Sequence, residues 1–269
     1  MRPPHEFYAY LPGSHFDGID FSKHYRIGDN FLKLKVYAGN SHSTLREAAG
    51  PMNLPLVGAN ISYNTGNWHA KINYTYAHIL DEGMDNAILD TLNSPELNQI
   101  FPDLNQLSSQ ISTKNKNGHY LSIGGSYDNG VWLAQAEASY TNVDSHALPS
   151  QASAYLSIGR RFSTVTLYTL YGISHSLEDR LNVPDPIVPF PTLEELQNIL
   201  EYSLNQTGTD QQSLSLGMRW DFYENIAFKM QWSHYWLGTR QGTAQWSNPL
   251  ATDKPHNVNV WSVGVDFIF

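Results

Sequence analysis

Apolar and polar side chains alternate along most of this chain, in runs of roughly ten to fourteen residues broken by turns that are short, then long, then short. The final run is the plainest. Trp261, Val263, Val265, Phe267 and Phe269 hold every second position, with Ser262, Gly264, Asp266 and Ile268 between them. A strand points successive side chains to opposite faces, so this segment has one greasy, aromatic face and one mostly small or polar face. The same pattern predicts strands at 18–27, 31–40, 56–64, 67–78, 118–127, 131–142, 151–162, 164–174, 209–221, 226–238 and 256–269. Gly28-Asp29-Asn30, Thr65-Gly66, Asp128-Asn129-Gly130 and Phe222-Tyr223-Glu224-Asn225 are the short turns. The third is a strong hairpin signal. Loops are predicted at 41–55, 143–150 and 239–255, and long insertions at 79–117 and 175–208. About eleven strands result, each long enough to cross a bilayer when tilted. The expected fold is all-β, an antiparallel transmembrane β-barrel with two long, partly helical extracellular loops.

The two faces sort by chemistry. One carries residues such as Leu32, Leu34, Val36, Ile72, Leu121, Ile123, Leu156, Ile158, Leu214 and Leu216; the other carries Ser, Asn, Gln and most strand charges. Aromatics on the apolar face gather at strand ends. Trp68, Tyr127, Trp132, Phe162, Trp220 and Phe267 are placed at the rim of the short turns, and Tyr76, Tyr140 and Trp236 at the rim of the long loops. Amphipathic rings prefer the headgroup level, so two girdles are what a membrane barrel shows. A soluble barrel or sandwich alternates in the same way. However, about eleven strands closed with the greasy side inward leave a lumen too wide for side chains to fill.

Composition narrows the classes. Of 269 residues, 41% are hydrophobic, yet no run approaches the ~18–20 apolar residues of a membrane helix. Charged residues make up only 15%, against about a quarter in soluble domains, and aromatics 13%. Cysteine is absent, which removes disulfides and thiolate metal sites. A net charge of −9 argues against nucleic acid as a partner.

Three pieces of the chain carry a family resemblance. Arg2-Pro3-Pro4-His5-Glu6-Phe7-Tyr8-Ala9-Tyr10 followed by Asp17-Gly18-Ile19-Asp20 resembles the inward-folded third loop and sixth strand of the sixteen-stranded, general-porin-like family of Gram-negative outer membranes. Asp221 to Trp232 resembles that family's penultimate periplasmic turn, and the closing strand is similar to its last one. The resemblance implies a bacterial outer-membrane protein, a multi-pass barrel surrounded by lipid, working as a homotrimer that passes small hydrophilic solutes. It also implies that Phe269 is an assembly signal. Single-chain bacterial barrels have even strand numbers. Met1 is followed by no apolar export segment. The expectation is therefore one barrel domain over 1–269, the carboxy-terminal part of a longer protein whose signal peptide and first strands lie outside this sequence.

A channel of this kind does no covalent chemistry, and no cofactor or metal is expected. The inward face is predicted to carry Arg26, Lys33, Lys35, Lys71, Arg161, Arg219 and Lys229, against Asp20, Glu137 and Asp221. Such a wall favours anionic or polar solutes. The alternative is that these cations pair with lumen carboxylates and set no selectivity. In the resembling family the inward loop narrows the pore, which makes Arg2, His5, Glu6, Tyr8 and Tyr10 constriction candidates. Thr192-Leu193-Glu194-Glu195 is a capping-box pattern and Ser94-Pro95 a helix start, each followed by an apolar stripe. These helices are read as loops packing on each other and on the rim rather than as a lid or partner contact. Two other classes stay open: a surface binding protein or adhesin using the long loops, and a rim-site hydrolase. For the hydrolase, His78, His234 and the group His175, Ser176, Glu178 and Asp179 are the nearest approach to a catalytic set, and no Gly-x-Ser-x-Gly or His-Glu-x-x-His is present.

Overall fold

A computed structural model describes residues 4, 7, 15–43, 52–84, 86–188, 191–205, 207–238 and 256–267. Eleven strands form one sheet in sequence order, each antiparallel to the next. They are β1 (Asp17–Ile27), β2 (Asn30–Ser43), β3 (Met52–Thr65), β4 (Trp68–Ile79), β5 (Lys116–Asp128), β6 (Trp132–Val143), β7 (Gln151–Phe162), β8 (Val165–Ser176), β9 (Asp210–Tyr223), β10 (Ile226–Leu237) and β11 (His256–Phe267). Helices α1 (Asn86–Leu92), α2 (Pro95–Ile100) and α3 (Leu104–Ile111) lie between β4 and β5, and α4 (Pro191–Leu204) lies between β8 and β9. The fold is an all-β antiparallel meander with helical insertions.

The meander follows from the turns. Gly28, Gly66 and Gly130 have φ of 64°, 51° and 86°, a region open to glycine at no steric cost, and each reverses the chain between two strands. Predicted loop 41–55 is shorter than the sequence suggested. β2 and β3 stay paired up to Ser43↔Met52, and Met52 and Leu54 are buried with Ile79 and Val143. Pro55 did not end the strand, because it stands beyond Leu56↔Ala77, the last pair between β3 and β4.

Burial separates the two faces of the sheet. In β7, Gln151, Ser153, Tyr155, Ser157 and Gly159 are buried, while Leu156, Ile158, Arg160 and Phe162 are exposed. The sheet curves around the first set. Its polar groups bond one another: Ser153 Oγ lies 2.9 Å from Ser174 Oγ, Ser215 Oγ lies 2.8 Å from Ser233 Oγ, and Gln151 Nε2 donates to Ser153 Oγ at 2.9 Å. On the outer face, apolar side chains stand free: Ile123 is 57% exposed, Leu216 51% and Val263 66%.

All the long connections leave the end of the sheet opposite the short turns, and three of them fuse into a cap. Leu92, Phe101, Leu104, Ile111, Leu200 and Leu204 share one buried apolar core with Leu181 and Val183. The Ile187 N–H donates to Ile100 O at 2.8 Å, joining the two insertions. Loop 144–150 is tied in by Ser145 Oγ donating to Ile111 O at 3.0 Å and the His146 N–H donating to Gln110 O at 2.9 Å. Ser94 caps α2 as predicted, its side chain accepting from the Leu97 N–H. The apolar stripe behind it does not form one helix. It breaks before Asp103, whose φ of 62° is left-handed, and restarts as α3. The capping box at Thr192 is also displaced: α4 begins at Pro191, where a proline's fixed φ suits the first helical position.

The sheet is open. β1 and β11 are its edges, and among the described residues neither pairs with a further strand. β1 is exposed along its whole length on both faces, with Ile19 79% and Phe21 67% exposed. Both strands run in the same direction, since an even number of reversals separates them, so joining edge to edge would require a parallel pair.

Candidate pore wall

Register places the inward side chains in rows across the strands. Lys71 pairs with Gly124, Gly124 with Glu137, and Glu137 with Tyr155. Lys71 Nζ reaches Glu137 Oε1 at 2.9 Å by lying over Gly124. A Cβ on Gly124 would stand 2.7 Å from Glu137 Cγ and 3.1 Å from Lys71 Cε, so only glycine leaves the space for this pair. The Tyr155 hydroxyl donates to the same carboxylate oxygen at 2.8 Å and Gln135 Nε2 at 3.3 Å. The Glu137 side chain is 3% exposed, yet a cation and two further donors meet its charge.

The same device recurs twice. Tyr37 of β2 lies over Gly58 of β3 and bonds Thr75 of β4, with 2.7 Å between their hydroxyl oxygens. Tyr168 of β8 lies over Gly217 of β9 and donates to Gln231 Oε1 of β10 at 2.8 Å. In each row a long side chain crosses a glycine on the next strand and bonds a polar group on the strand after it.

The predicted wall cations are placed as follows. Lys35 Nζ is 3.1 Å from Asp20 Oδ2. Arg161 grips Asp128 with two nitrogens, at 2.5 and 2.8 Å. Arg219 lies 2.7 Å from Asp221 and 3.7 Å from Asp266, and Lys229 also pairs with Asp266. Arg26 lies 3.8 Å from Asp29, out in solvent. Lys33 alone among the seven has no carboxylate within ion-pair distance among the described residues. Sequence reasoning counted Asp20, Glu137 and Asp221 on this face and missed Asp128 and Asp266. Both stand at the inward parity of their strands: Asp128 shares that of Ser122 and Ser126, and Asp266 that of Ser262.

The constriction candidates Arg2, His5, Glu6, Tyr8 and Tyr10 lie outside the described residues, as does Phe269. Pro4 and Phe7, from the same segment, are described and buried. The Phe7 ring meets the edge of Tyr155 at 5.4 Å and 83°, in a cluster with Leu170. Tyr155 and Leu170 both face inward, so Phe7 is seated inside the curve of the sheet.

The rim aromatics all take outward positions. Trp68 and Tyr127 are cross-strand neighbours with ring centroids 4.6 Å apart. The Arg160 guanidinium lies over Trp132 and Phe162, at 5.0 and 4.9 Å. Trp220 leans on Phe222 at 5.2 Å. Phe267 closes this rim on β11, 66% exposed. At the other rim, the Tyr76 hydroxyl donates to Asn117 Oδ1 at 2.8 Å, Trp236 meets His234 edge-on at 4.6 Å, and Tyr140 is 43% exposed.

The hydrolase candidates do not converge. His175 points outward, 3.4 Å from Asp210, while Ser176 points inward and accepts from the Thr209 N–H at 2.8 Å. Glu178 accepts from Ser150 Oγ at 2.7 Å. His78 and His234 also face outward, bonded to Asn117 and Asn259.

Neither a family model nor a curated protein matches the chain. Among solved structures, it is similar to an anion-selective porin from Comamonas acidovorans, with a TM-score of 0.51 and 10% identity over 93% of this chain. Weaker likenesses are outer-membrane OmpT of Vibrio cholerae (TM-score 0.46, 10% identity, 92% of this chain) and BamA of Haemophilus ducreyi lacking POTRA domains 1–3 (TM-score 0.46, 12% identity, 93% of this chain). The chain spans 59%, 64% and 55% of those three proteins respectively. The likeness to the Comamonas structure shows the fold alone: an antiparallel β-meander curved like part of the β-barrel wall of that porin.

Proposed function

We propose that this chain forms part of the wall of a porin, a water-filled channel in the bacterial outer membrane through which small hydrophilic solutes diffuse. One observation carries the reading. The exposed side chains on the convex face are mostly apolar between two aromatic rims, with Lys23 and Thr169 among the few polar ones, and the concave face holds most of the strand Ser, Gln and charged residues. A sheet with that division has lipid outside and water inside.

The open edges extend the proposal. In lipid each unpaired backbone group costs several kcal/mol, so β1 and β11 need partners. Further strands preceding β1, odd in number, close an all-antiparallel barrel, and the family resemblance sets that number at five. The same resemblance carries the homotrimer, which native mass in detergent tests.

Paired charges suggest weak selectivity. Asp20, Asp128, Glu137, Asp221 and Asp266 offset most of the cations, leaving Lys33 as the main contributor to a mild preference for anions. Protein inserted into a planar bilayer is expected to give stepwise ion current with a small anion-directed reversal potential in a salt gradient. Protein whose heat-modifiable gel mobility shows it folded, yet which inserts without current, overturns the channel reading and favours a surface-binding role for the capped barrel.

A further inference from the structure

A barrel lumen is ordinarily polar, but one part of this inner face is not. Beneath the cap, across β2 to β6, lies a recess of about 240 Å³. Its shape follows from register. At one level Tyr37, Gly58, Thr75, Tyr120 and Thr141 form a continuous row over five strands, and one level outward Gly39, Leu56, Ala77, Gly118 and Val143 form the next. Leu54, Ile79 and Leu148 roof it. Two of the glycines are filled by rings, since Phe16 covers Gly39 and Tyr37 covers Gly58. These two rings stand 5.5 Å apart and form one side wall. Gly118 is not covered. A Cβ there would find nothing nearer than Val143 Cγ2 at 3.7 Å.

The lining has a chemical bias. Among the described residues no Asp, Glu, Lys or Arg lines the recess. An ionised solute would lose its hydration there with no partner in return. Most polar groups lie in or just below the lower row, and Ser41, at the roof, already donates to His15 O at 2.7 Å. The Tyr37 hydroxyl donates to Asn73 Oδ1 at 3.1 Å and shares a hydrogen bond with Thr75, so both are already engaged. The Thr141 hydroxyl, in the same row, makes no hydrogen bond among the described residues, which leaves it available to a solute. An apolar cavity of roughly 150 Å³ is enough to hold one benzene ring, so this recess takes a single ring with a substituent.

We propose that the recess is a binding site for a small, uncharged aromatic alcohol. The ring lies over Gly118 under Ile79, beside the hydroxyl end of Tyr37, and its hydroxyl bonds Thr141. The inference goes beyond diffusion of hydrophilic solutes and does not need the channel to conduct.

The test uses 4-fluorophenol as the probe and the protein in lipid nanodiscs, with ¹⁹F line broadening as the readout and empty nanodiscs as the partition blank. Saturable broadening above the blank is expected. Gly118→Leu fills the recess and is expected to weaken binding about tenfold or more. Thr141→Val keeps the shape, removes the hydroxyl and should weaken binding about three- to tenfold. Gly264→Leu, on the inner face of β11 with nothing within 4 Å of its Cβ position, should bind like the parent. No saturable signal above the blank, or equal broadening in all variants, overturns the site. If Gly118→Leu loses the folded gel mobility, Thr141→Val and the parent still decide. Current without binding rejects this site alone; binding without current rejects only the channel reading.

Discussion

The glycine-crossing rows make a prediction with a sign. A Cβ added at Gly217 would lie 2.1 Å from Tyr168 Cζ, so the Tyr168 ring must leave. Leaving breaks its hydrogen bond to Gln231, worth about 1 kcal/mol net. Displacing a packed ring adds about 1–2 kcal/mol, at the lower end of overpacking costs because the lumen gives it somewhere to go. Against this, replacing glycine by alanine reduces the freedom of the unfolded chain and stabilises by about 0.4–1 kcal/mol. Gly217→Ala is therefore expected to destabilise by about 1–2.5 kcal/mol. Gly264→Ala meets nothing within 4 Å and keeps only the favourable part. The two substitutions are chemically identical and lie on the same face, yet should differ in sign. Urea titration in lipid vesicles reads both, with six of the seven tryptophans on outward positions reporting loss of contact with lipid. With Tyr168 first changed to Ala, Gly217→Ala should become neutral or stabilising. Equal effects at 217 and 264, or no coupling to Tyr168, refute the claim that the glycine exists to let the ring across.

Four other outcomes follow from single contacts. Glu82 ties the start of the first insertion to the end of α3, accepting from Ser112 Oγ at 2.6 Å, the Thr113 N–H at 3.0 Å and the Met84 N–H at 3.1 Å. Its burial pushes the carboxyl up, but these bonds outweigh burial and hold it below the ordinary 4.5. The stabilisation is thus full above that value and is lost as pH falls through the lower folded one. Exchange of the Thr113 amide, corrected for its intrinsic rate, should rise on acidification, and Glu82→Gln should show the raised rate already at neutral pH. Lys33→Glu should turn the reversal potential toward cations more than the same change at the paired Lys35; equal shifts would show that pairing does not mask wall charge. Phe7→Ala removes the ring seated on Tyr155 and Leu170, and single-channel conductance should rise; an unchanged conductance would place Phe7 clear of the solute path. Glu137→Gln leaves Lys71 facing a neutral amide and should cost about 2 kcal/mol in the urea titration, less than a fully buried pair because the Lys71 side chain is 35% exposed.

Two kinds of information separate what the sequence told from what it did not. Strand faces were legible because two solvents enforce them. Every second residue of β7 must suit lipid and every other one water, and its bounds, Gln151 to Phe162, are those read from alternation alone. Helix ends and loop lengths were less legible, because they depend on what packs over them. Leu97 to Ile111 reads as one stripe, yet the chain must turn at Asp103 for Phe101 and Leu104 to enter the same core as Leu200. The charge balance was misjudged for a different reason. Asp128 was read as a turn residue, and Asp266 was set beside the greasy positions without being counted on the wall. Recognising either needs the strand's parity carried to its last residue.

Pair identity was beyond reach without register. Lys71 and Glu137 are 66 positions apart in sequence, on strands that do not touch, and nothing local to either predicts the other. What makes them partners is Gly124 between them, which in sequence reads only as a weak spot in a strand. The same holds at Gly58 and Gly217. An inward glycine flanked by strand residues therefore reads differently in a barrel wall than in a packed core. In a core it is a gap; at Gly58, Gly124 and Gly217 it is a crossing point where a side chain from one neighbouring strand reaches a polar group on the other. The three rows tie β2 to β4, β4 to β6 and β8 to β10 through side chains, as well as each strand to its first neighbour through the backbone. In a wall with water on one side, that extra reach holds charged groups flat against the sheet and keeps the lumen clear.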